Sequence, residues 1–505
     1  MIGLRRLVAS ALAFALTAVA TAQATVGAYP VCTDPNSVVT FADPRLEEVV
    51  RDALEVGSGP LSCGAVGSLR TLYASGLGIV RLDGLEHAVN LSRLELRDNR
   101  IEDLAPLAGL PRLTRLDMRD NLVRNLEPLR SIVSLSRIEL LRNLVVDLTP
   151  LRALTRLGYL DLRSNDVEDV RPLAGLSGLQ QLLLQSNRIA SVAPLSGLRE
   201  LRILGLDNNQ LTTGEGLALL VQLESLSLRN NGLTDLNFAF LLTNLRSLDA
   251  RSNALTNVAV LRGLDALEVL RLGRNQIADL RPLAGLDRLV VLDVERNAVT
   301  SVQPLGALTT LVDLNLGRNN ISDVGHLRSL TNLTTLSLNR NVVRNVGALA
   351  GLTALTRLDL GRTGVSDLTP LGGMAVIASL TLEGNDIEDI EPLAALRALV
   401  ALDLANNQIV DLAPLAGLTG LELLFLARNE LEDLTPIGSL RGLRVLDVSS
   451  NRIRDLTPIV GLPALETLSV EANCLVLDTD VLGAAQRWTT AGVDLTLEPQ
   501  SLCDE

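Results

Sequence analysis

Few residues in this chain are equipped for covalent chemistry, and their placement argues against it. The only two histidines, His87 and His326, lie far apart in the sequence. A general base must reach its nucleophile within a hydrogen bond, and no serine, cysteine or threonine stands in such a relation to either ring. There is no glycine-rich phosphate loop and no zinc-ligand spacing. Carboxylates are plentiful, with 58 Asp and Glu, and a pair of them could in principle flank a glycosidic bond. In a regularly repeating chain such pairs arise automatically, so they single out no reaction. The aspartates also match no dedicated calcium loop. Neither catalysis, a cofactor nor a metal is expected.

Arginine is the residue left to do recognition chemistry. The basic count of 45 is all Arg, since no lysine occurs, and with the acidic residues it gives a net charge of −13. That sign argues against nucleic acid or an anionic membrane as partner. Hydrophobic residues make up 47% of the chain but aromatic ones only 2%. Length alone would suggest about three domains. So much leucine with so few rings points instead to one small unit copied many times.

The unit reads Leu91-x-x-Leu94-x-Leu96-x-x-Asn99-x-Ile101-x-x-Leu104-x-Pro106-Leu107-x-x-Leu110, and the frame restarts at Leu113. Its asparagine recurs every 22 residues from Asn99 to Asn473, broken only at Thr363, which makes 18 repeats. A degenerate further repeat begins at Leu69, with Leu77 in the asparagine slot. This is the leucine-rich repeat pattern. Its L-x-L segment is a short strand that pairs with the next coil's strand about 4.8 Å away. Positions 1, 4, 6, 11, 14, 17 and 20 point inward, and no coil buries that face alone. The asparagine amide is expected to pair backbone groups of its own coil and the next. Thr363 has less reach, so a weak joint is expected there. Asp at position 13 (Asp103, Asp147, Asp169, Asp279) and Pro at position 16 (Pro106, Pro172, Pro282, Pro414) predict short 3₁₀ turns, because Asp caps a turn and Pro sets its φ.

The ends set the compartment. Arg5 and Arg6, an apolar run over 7–20 and Ala22-Gln23-Ala24 describe a secretory signal peptide cleaved after Ala24. The run is too short to span a bilayer. Cys32 and Cys63 precede the repeats; Cys474 and Cys503 follow them. Four cysteines allow three pairings. A long rod between the two pairs leaves Cys32–Cys63 and Cys474–Cys503, in an oxidising compartment. No histidine sits near either pair to suggest zinc.

The spelling I-x-D-L-x-P-L-x-x-L resembles the 22-residue repeat class of bacterial internalin-like secreted proteins. Val39-Thr40-Phe41-Ala42-Asp43-Pro44 onwards resembles the helical cap that precedes such repeats, with Asp43 capping the helix and Pro44 in its first position. Residues 491–500, following a helix that carries Trp488, resemble the C-terminal cap. The resemblance implies an α/β leucine-rich repeat solenoid: a parallel β-sheet on the concave face, 3₁₀ turns or loops on the convex face and a helical cap at each end. The expected divisions are 1–24 signal peptide, 25–68 N-terminal cap, 69–473 repeats and 474–505 C-terminal cap.

Repeat positions 3, 5 and 7 lie exposed on the concave face. In the first coils they read Arg93-Glu95-Arg97, Arg115-Asp117-Arg119, Arg137-Glu139-Leu141 and Tyr159-Asp161-Arg163. Four acidic residues stacked at the strand spacing repel one another unless the flanking arginines neutralise them. Two roles are open for this face: a self-satisfied ion-pair lattice, or a docking surface with free guanidinia. Position 8 carries Arg274, Arg296, Arg318, Arg340 and Arg362. Near the C-terminal end the face turns apolar at Ala401, Leu423, Phe425, Ala427 and Val445, a second candidate contact. On the convex side Thr212-Thr213-Gly214 and Phe238/Phe240 depart from the repeat, as a local bend, a contact or simple drift. The sequence thus describes a secreted, monomeric, non-catalytic module that engages an extracellular or surface protein, or a glycan, through its concave face. A spacer in a cell surface or matrix is the alternative.

Overall fold

Three-residue strands recur once per coil because only positions 3 to 5 are extended before the chain turns. In the computed structural model, which describes residues 31–500, twenty such strands form one sheet, from Thr71–Tyr73 through Arg93–Glu95 to Asp494–Thr496. Every pairing is parallel and in register, so Leu72, Leu94, Leu116 and Ile138 stack as one column. One continuous solenoid therefore replaces the three domains that length suggests. The inward positions are sealed: Leu91, Leu94, Leu96, Ile101, Leu104, Leu107 and Leu110 are all at most 1% exposed. The opposite side of the coils carries 3₁₀ turns such as Ala105–Leu107. Their entry is an Asx turn, with the Ala105 N–H donating to Asp103 Oδ1 at 2.8 Å and the Thr149 N–H to Asp147 Oδ1 at 2.8 Å.

The asparagine column works in the opposite direction to the one expected. Asn187 Nδ2 donates to Leu184 O in its own coil at 3.0 Å and to Leu162 O in the preceding coil at 2.9 Å. Its Oδ1 accepts from the Val167 N–H, again in the preceding coil, at 2.9 Å. The chain passes below the strand as it turns inward, so the amide reaches back rather than forward. Just before each asparagine, position 8 is left-handed in coil after coil, with φ 57° at Asp98, 54° at Asn208 and 56° at Arg318. That conformation costs roughly 1 kcal/mol for a side chain other than Gly, Asn or Asp.

Two coils lack the asparagine, and both are repaired alike. Beyond Leu77 and Thr363 stand Gly78 and Gly364, with φ of 69° and 78°. The bend lets the next coil's asparagine take more of the orphaned donors. Asn99 Oδ1 accepts from Leu77 and Ile79, and Asn385 Oδ1 from Thr363, Gly364 and Val365. The Thr363 hydroxyl donates to Leu360 O at 2.7 Å. One defect survives this repair: among the described residues the Val343 N–H has no acceptor, whereas its counterpart Ile321 donates to Asn341 Oδ1 at 2.9 Å. A buried orphan of this kind costs about 1–3 kcal/mol. Hydrogen exchange should therefore be at least about tenfold faster at Val343 than at Ile321; equal protection would show the repair to be complete.

The ends are closed as the cap spellings predict. Helix α1 (Pro44–Ala53) has Asp43 as its N-cap, accepting from the Arg45 N–H, and buries Leu46 and Val50. Cys32 and Cys63 are disulfide-bonded, with Cys63 opening α2 (Cys63–Gly67). At the other end α3 (Thr479–Thr490) buries Ala484 and Trp488, and Asp494–Thr496 adds the last strand. Gln500 there takes the asparagine's part: its Oε1 accepts from the Asn473 N–H at 3.0 Å and its Nε2 donates to Val470 O at 3.2 Å. Cys474 is not free, but Cys503, its expected partner, and the signal peptide both lie outside the described residues.

Candidate functional site on the strand face

Side chains two apart on a strand share a face, so positions 3, 5 and 7 present Arg and acidic groups side by side. The sheet register brings Glu95, Asp117, Glu139 and Asp161 into one stack, as expected from the repeat. Arginines neutralise it within each coil. Arg93 pairs with Glu95 at 2.5 Å and lies over the Tyr73 ring, 5.4 Å from its centre. Arg119 meets Asp117 at 2.5 Å and Glu139 of the next coil at 3.4 Å. Arg163 pairs with the fully buried Asp161 at 2.7 Å, and the adjacent Tyr159 ring is covered by Arg137 at 3.5 Å. Arg137, in line with Arg93 and Arg115 at position 3, also pairs with Glu139 at 2.7 Å. Most of this face is thus an ion-pair lattice. Arg97 and Arg115 are exposed and meet no carboxylate among the described residues.

Further along, the carboxylates of the same face are half-buried. Asp207 is bonded by the Ser227 hydroxyl and accepts from the Arg229 N–H at 2.8 Å. Arg251 pairs with Asp249 at 2.6 Å and reaches Asp293 at 4.0 Å. Burial holds the carboxyls of Asp207, Asp293 and Asp403 above the ordinary carboxylate range. A carboxyl whose pKa is raised on folding stabilises the fold fully only below its unfolded value, near 3.9, and that contribution is lost as pH rises through the folded value. Asp293→Asn keeps an acceptor for the Glu295 N–H, which Asp293 Oδ1 now holds at 3.0 Å. It should raise stability at pH 7 and give nothing near pH 3. Parallel denaturation curves for the two proteins from pH 3 to 7 would reject the idea if they kept a constant separation.

The C-terminal patch is smaller than its spelling suggests. Ala401, Leu423 and Val445 align in one row, but Phe425 stands between Asp403 and Asp447 in the next. Leu423 and Phe425 are half-buried, at the far end of the sheet from Arg93. On the convex side the departures from the repeat have a packing cause rather than being drift. The Phe238 ring fills the space above Gly214, where a Cβ would lie 2.0 Å from the ring. Phe240, Leu241, Leu219 and Val221 remain exposed around it. His326 is exposed on a 3₁₀ turn, while His87 Nδ1 accepts from the Cys32 N–H at 3.1 Å and so serves the cap. Among the described residues no group of three or more His, Cys, Asp or Glu is arranged to hold a metal ion. No helix among them is long and apolar enough to cross a membrane.

Family models for leucine-rich repeats match residues 89–131 and 243–285, and a single-repeat model matches 307–325 and 329–350. No curated protein sequence matches the chain. Among solved structures it is similar to a leucine-rich repeat protein of Leptospira interrogans, at 23% identity over 86% of this chain and 97% of that one, with a TM-score of 0.54. It is similar to an internalin of Listeria monocytogenes at 26% identity over 81% and 96%, with a TM-score of 0.44. It is also similar to the ectodomain of the Arabidopsis receptor kinase HAESA, solved with a peptide hormone, at 22% identity over 83% and 80%, with a TM-score of 0.57. The fold is a leucine-rich repeat solenoid.

Proposed function

We propose that the chain is an extracellular, non-catalytic recognition module that holds a protein partner against the strand face of its solenoid. The observation that supports this most is the ion-pair lattice itself. Arginines locked against Glu95, Asp117, Glu139 and Asp161 give a rigid polar surface, so a partner need not order it on binding. Arg97 and Arg115 project from that surface with guanidinia uncommitted among the described residues, and Arg is a favoured interface anchor. The peptide-bound HAESA ectodomain offers a precedent for ligand binding on such a scaffold. The Cys32–Cys63 disulfide suits an oxidising compartment. The divisions expected for the chain, with a cleaved leader and stapled caps around 69–473, belong to the same reading.

The test is capture from extracellular material by the native protein, an Arg97→Glu/Arg115→Glu variant and a Phe240→Ser variant. Surface charge reversal at two uncommitted arginines should lower capture at least tenfold, and more so at low salt. Phe240→Ser should leave capture unchanged. Loss with Phe240→Ser alone would move the site to the convex side. No specific capture by any of the three would favour a spacer.

A further inference from the structure

Five successive coils place arginine where the backbone least wants it. Arg274, Arg296, Arg318, Arg340 and Arg362 occupy position 8 with φ between 52° and 58°. Elsewhere the slot often holds the short residues that tolerate this conformation, as at Asp98, Asp120, Asn208, Asn230 and Asn406. Packing does not explain the choice, because Arg274, Arg296, Arg340 and Arg362 point into solvent. Nor do ion pairs: only Arg318 and Arg362 meet carboxylates, Glu295 at 3.4 Å and Glu383 at 2.6 Å. Arg274, Arg296 and Arg340 have no such partner among the described residues. Strain kept in an unbroken run, at three of its five positions with no ion pair in return, points to a ligand.

The surroundings specify its chemistry. Beside the ladder, position 7 is glycine at Gly273, Gly317 and Gly361; Asp293 and Asn339 close over the first two, where a Cβ would meet them at 3.1 Å and 3.0 Å, and Gly361 lines a shallow trough. One depression of about 280 Å³ in it is lined by Arg318, Arg340 and Arg362 with Asn339, Thr381 and the carboxylates of Glu295, Asp359 and Glu383. Those carboxylates are engaged: Asp359 accepts from Asn339 at 2.5 Å and from the Gly361 N–H at 3.0 Å, while the two glutamates hold Arg318 and Arg362. The trough offers cations at one-coil intervals beside hydroxyl and amide groups, and no apolar or aromatic pocket to anchor a peptide side chain. In an extended peptide, side chains on one face repeat at about 6.7 Å, out of step with coils about 4.8 Å apart. A pyranose ring advances a linear chain by close to one coil.

We propose that the ladder from Arg274 to Arg362 binds a linear anionic polysaccharide, bearing a carboxylate or sulfate on its sugar residues and laid along the solenoid axis. The ladder is separate from Arg97 and Arg115, so this proposal and the protein-binding reading can fail independently. With a net charge of −13, the chain has no general attraction for polyanions, and any such binding is local.

The test measures binding of polygalacturonate and of dextran sulfate to the full chain by titration calorimetry at low and at physiological salt, with neutral dextran and poly-glutamate as controls. Arg274→Asn/Arg296→Asn/Arg340→Asn removes three cations while placing a residue that suits the left-handed backbone, so it should fold at least as well, which its thermal midpoint checks. Affinity for one or both charged polysaccharides should fall at least tenfold in this variant and stay unchanged in Arg97→Glu/Arg115→Glu. Preference between the two polymers would tell carboxylate from sulfate. Absence of binding by the native chain, equal binding by the triple variant, or binding of poly-glutamate as tight as that of the polysaccharides would overturn the proposal.

Discussion

Replacing Asn187 with alanine should destabilise the coils around it by about 3–4 kcal/mol, among the largest effects of any single exchange in the chain. The size follows from counting what is left unpaired. Asn187 is 8% exposed, so water does not replace its bonds. The Val167 N–H loses its only acceptor, a full orphan worth about 1–3 kcal/mol. The two carbonyls fare better, because each is shared: Leu162 O keeps Asn165 Nδ2 at 3.0 Å, and Leu184 O keeps Asn209 Nδ2 at 3.0 Å. Each lost bond there costs about 0.5–1.5 kcal/mol.

Sharing also predicts how neighbours combine. In Asn187→Ala/Asn209→Ala, Leu184 O loses both of its donors, so the double exchange should cost more than the two single ones together. Asn187→Ala combined with the distant Asn429→Ala should be additive. Chemical denaturation of the three single and two double variants checks this. Strict additivity for the adjacent pair would mean that water enters the column and satisfies the carbonyls.

How far the sequence alone led depends on what each feature rests on. Leucine spacing is set by the coil's own path, so every inward position, strand and turn could be read from residues such as Leu94, Asp103 and Pro106. The Asp43-Pro44 helix start was legible for the same reason, being local chemistry. What failed involved a relation between coils. The reach of Asn187 toward Leu162 and Val167 depends on which way the chain descends, which no single repeat states. The pairing of Gly364 with Thr363, of Gly78 with Leu77, and of Gly214 with Phe238 each needs two residues that the repeat frame treats as independent. On the strand face the Arg-x-Glu spacing of Arg93 and Glu95 was readable as a same-face pair. Whether a guanidinium turns to its own coil, to the next or to solvent is set by neighbours, as Arg93, Arg119 and Arg115 show in turn. The acidic stack was therefore foreseen while the division into committed and free arginines was not.

The second large effect lies at the N-terminal edge. A solenoid is a one-dimensional stack, and its first coil has no neighbour on one side. The strand Thr71–Tyr73 pairs only with Arg93–Glu95, and Leu72, Ala74 and Ile79 would face water without the cap. Two polar ties hold α1 over them, Asp43 Oδ2 accepting from the Val80 N–H at 2.8 Å and Arg45 donating to Gly78 O at 2.8 Å. Neither resists unfolding of the 31-residue loop that the Cys32–Cys63 bond closes. Closing a loop of that length removes chain entropy from the unfolded state, which stabilises the fold by roughly 3–4 kcal/mol. Cys32→Ala/Cys63→Ala should lose about that much, because Cys63 alone is buried and its alanine leaves only a small void. The loss should be local, since each coil rests on its neighbours. Hydrogen-exchange protection should drop over the first two or three coils, from Leu72 to about Met118, and hold from Leu160 onward. A uniform fall along the whole chain would show that the solenoid unfolds as one cooperative unit. No fall at all would mean that the helix and its polar ties suffice to close the edge.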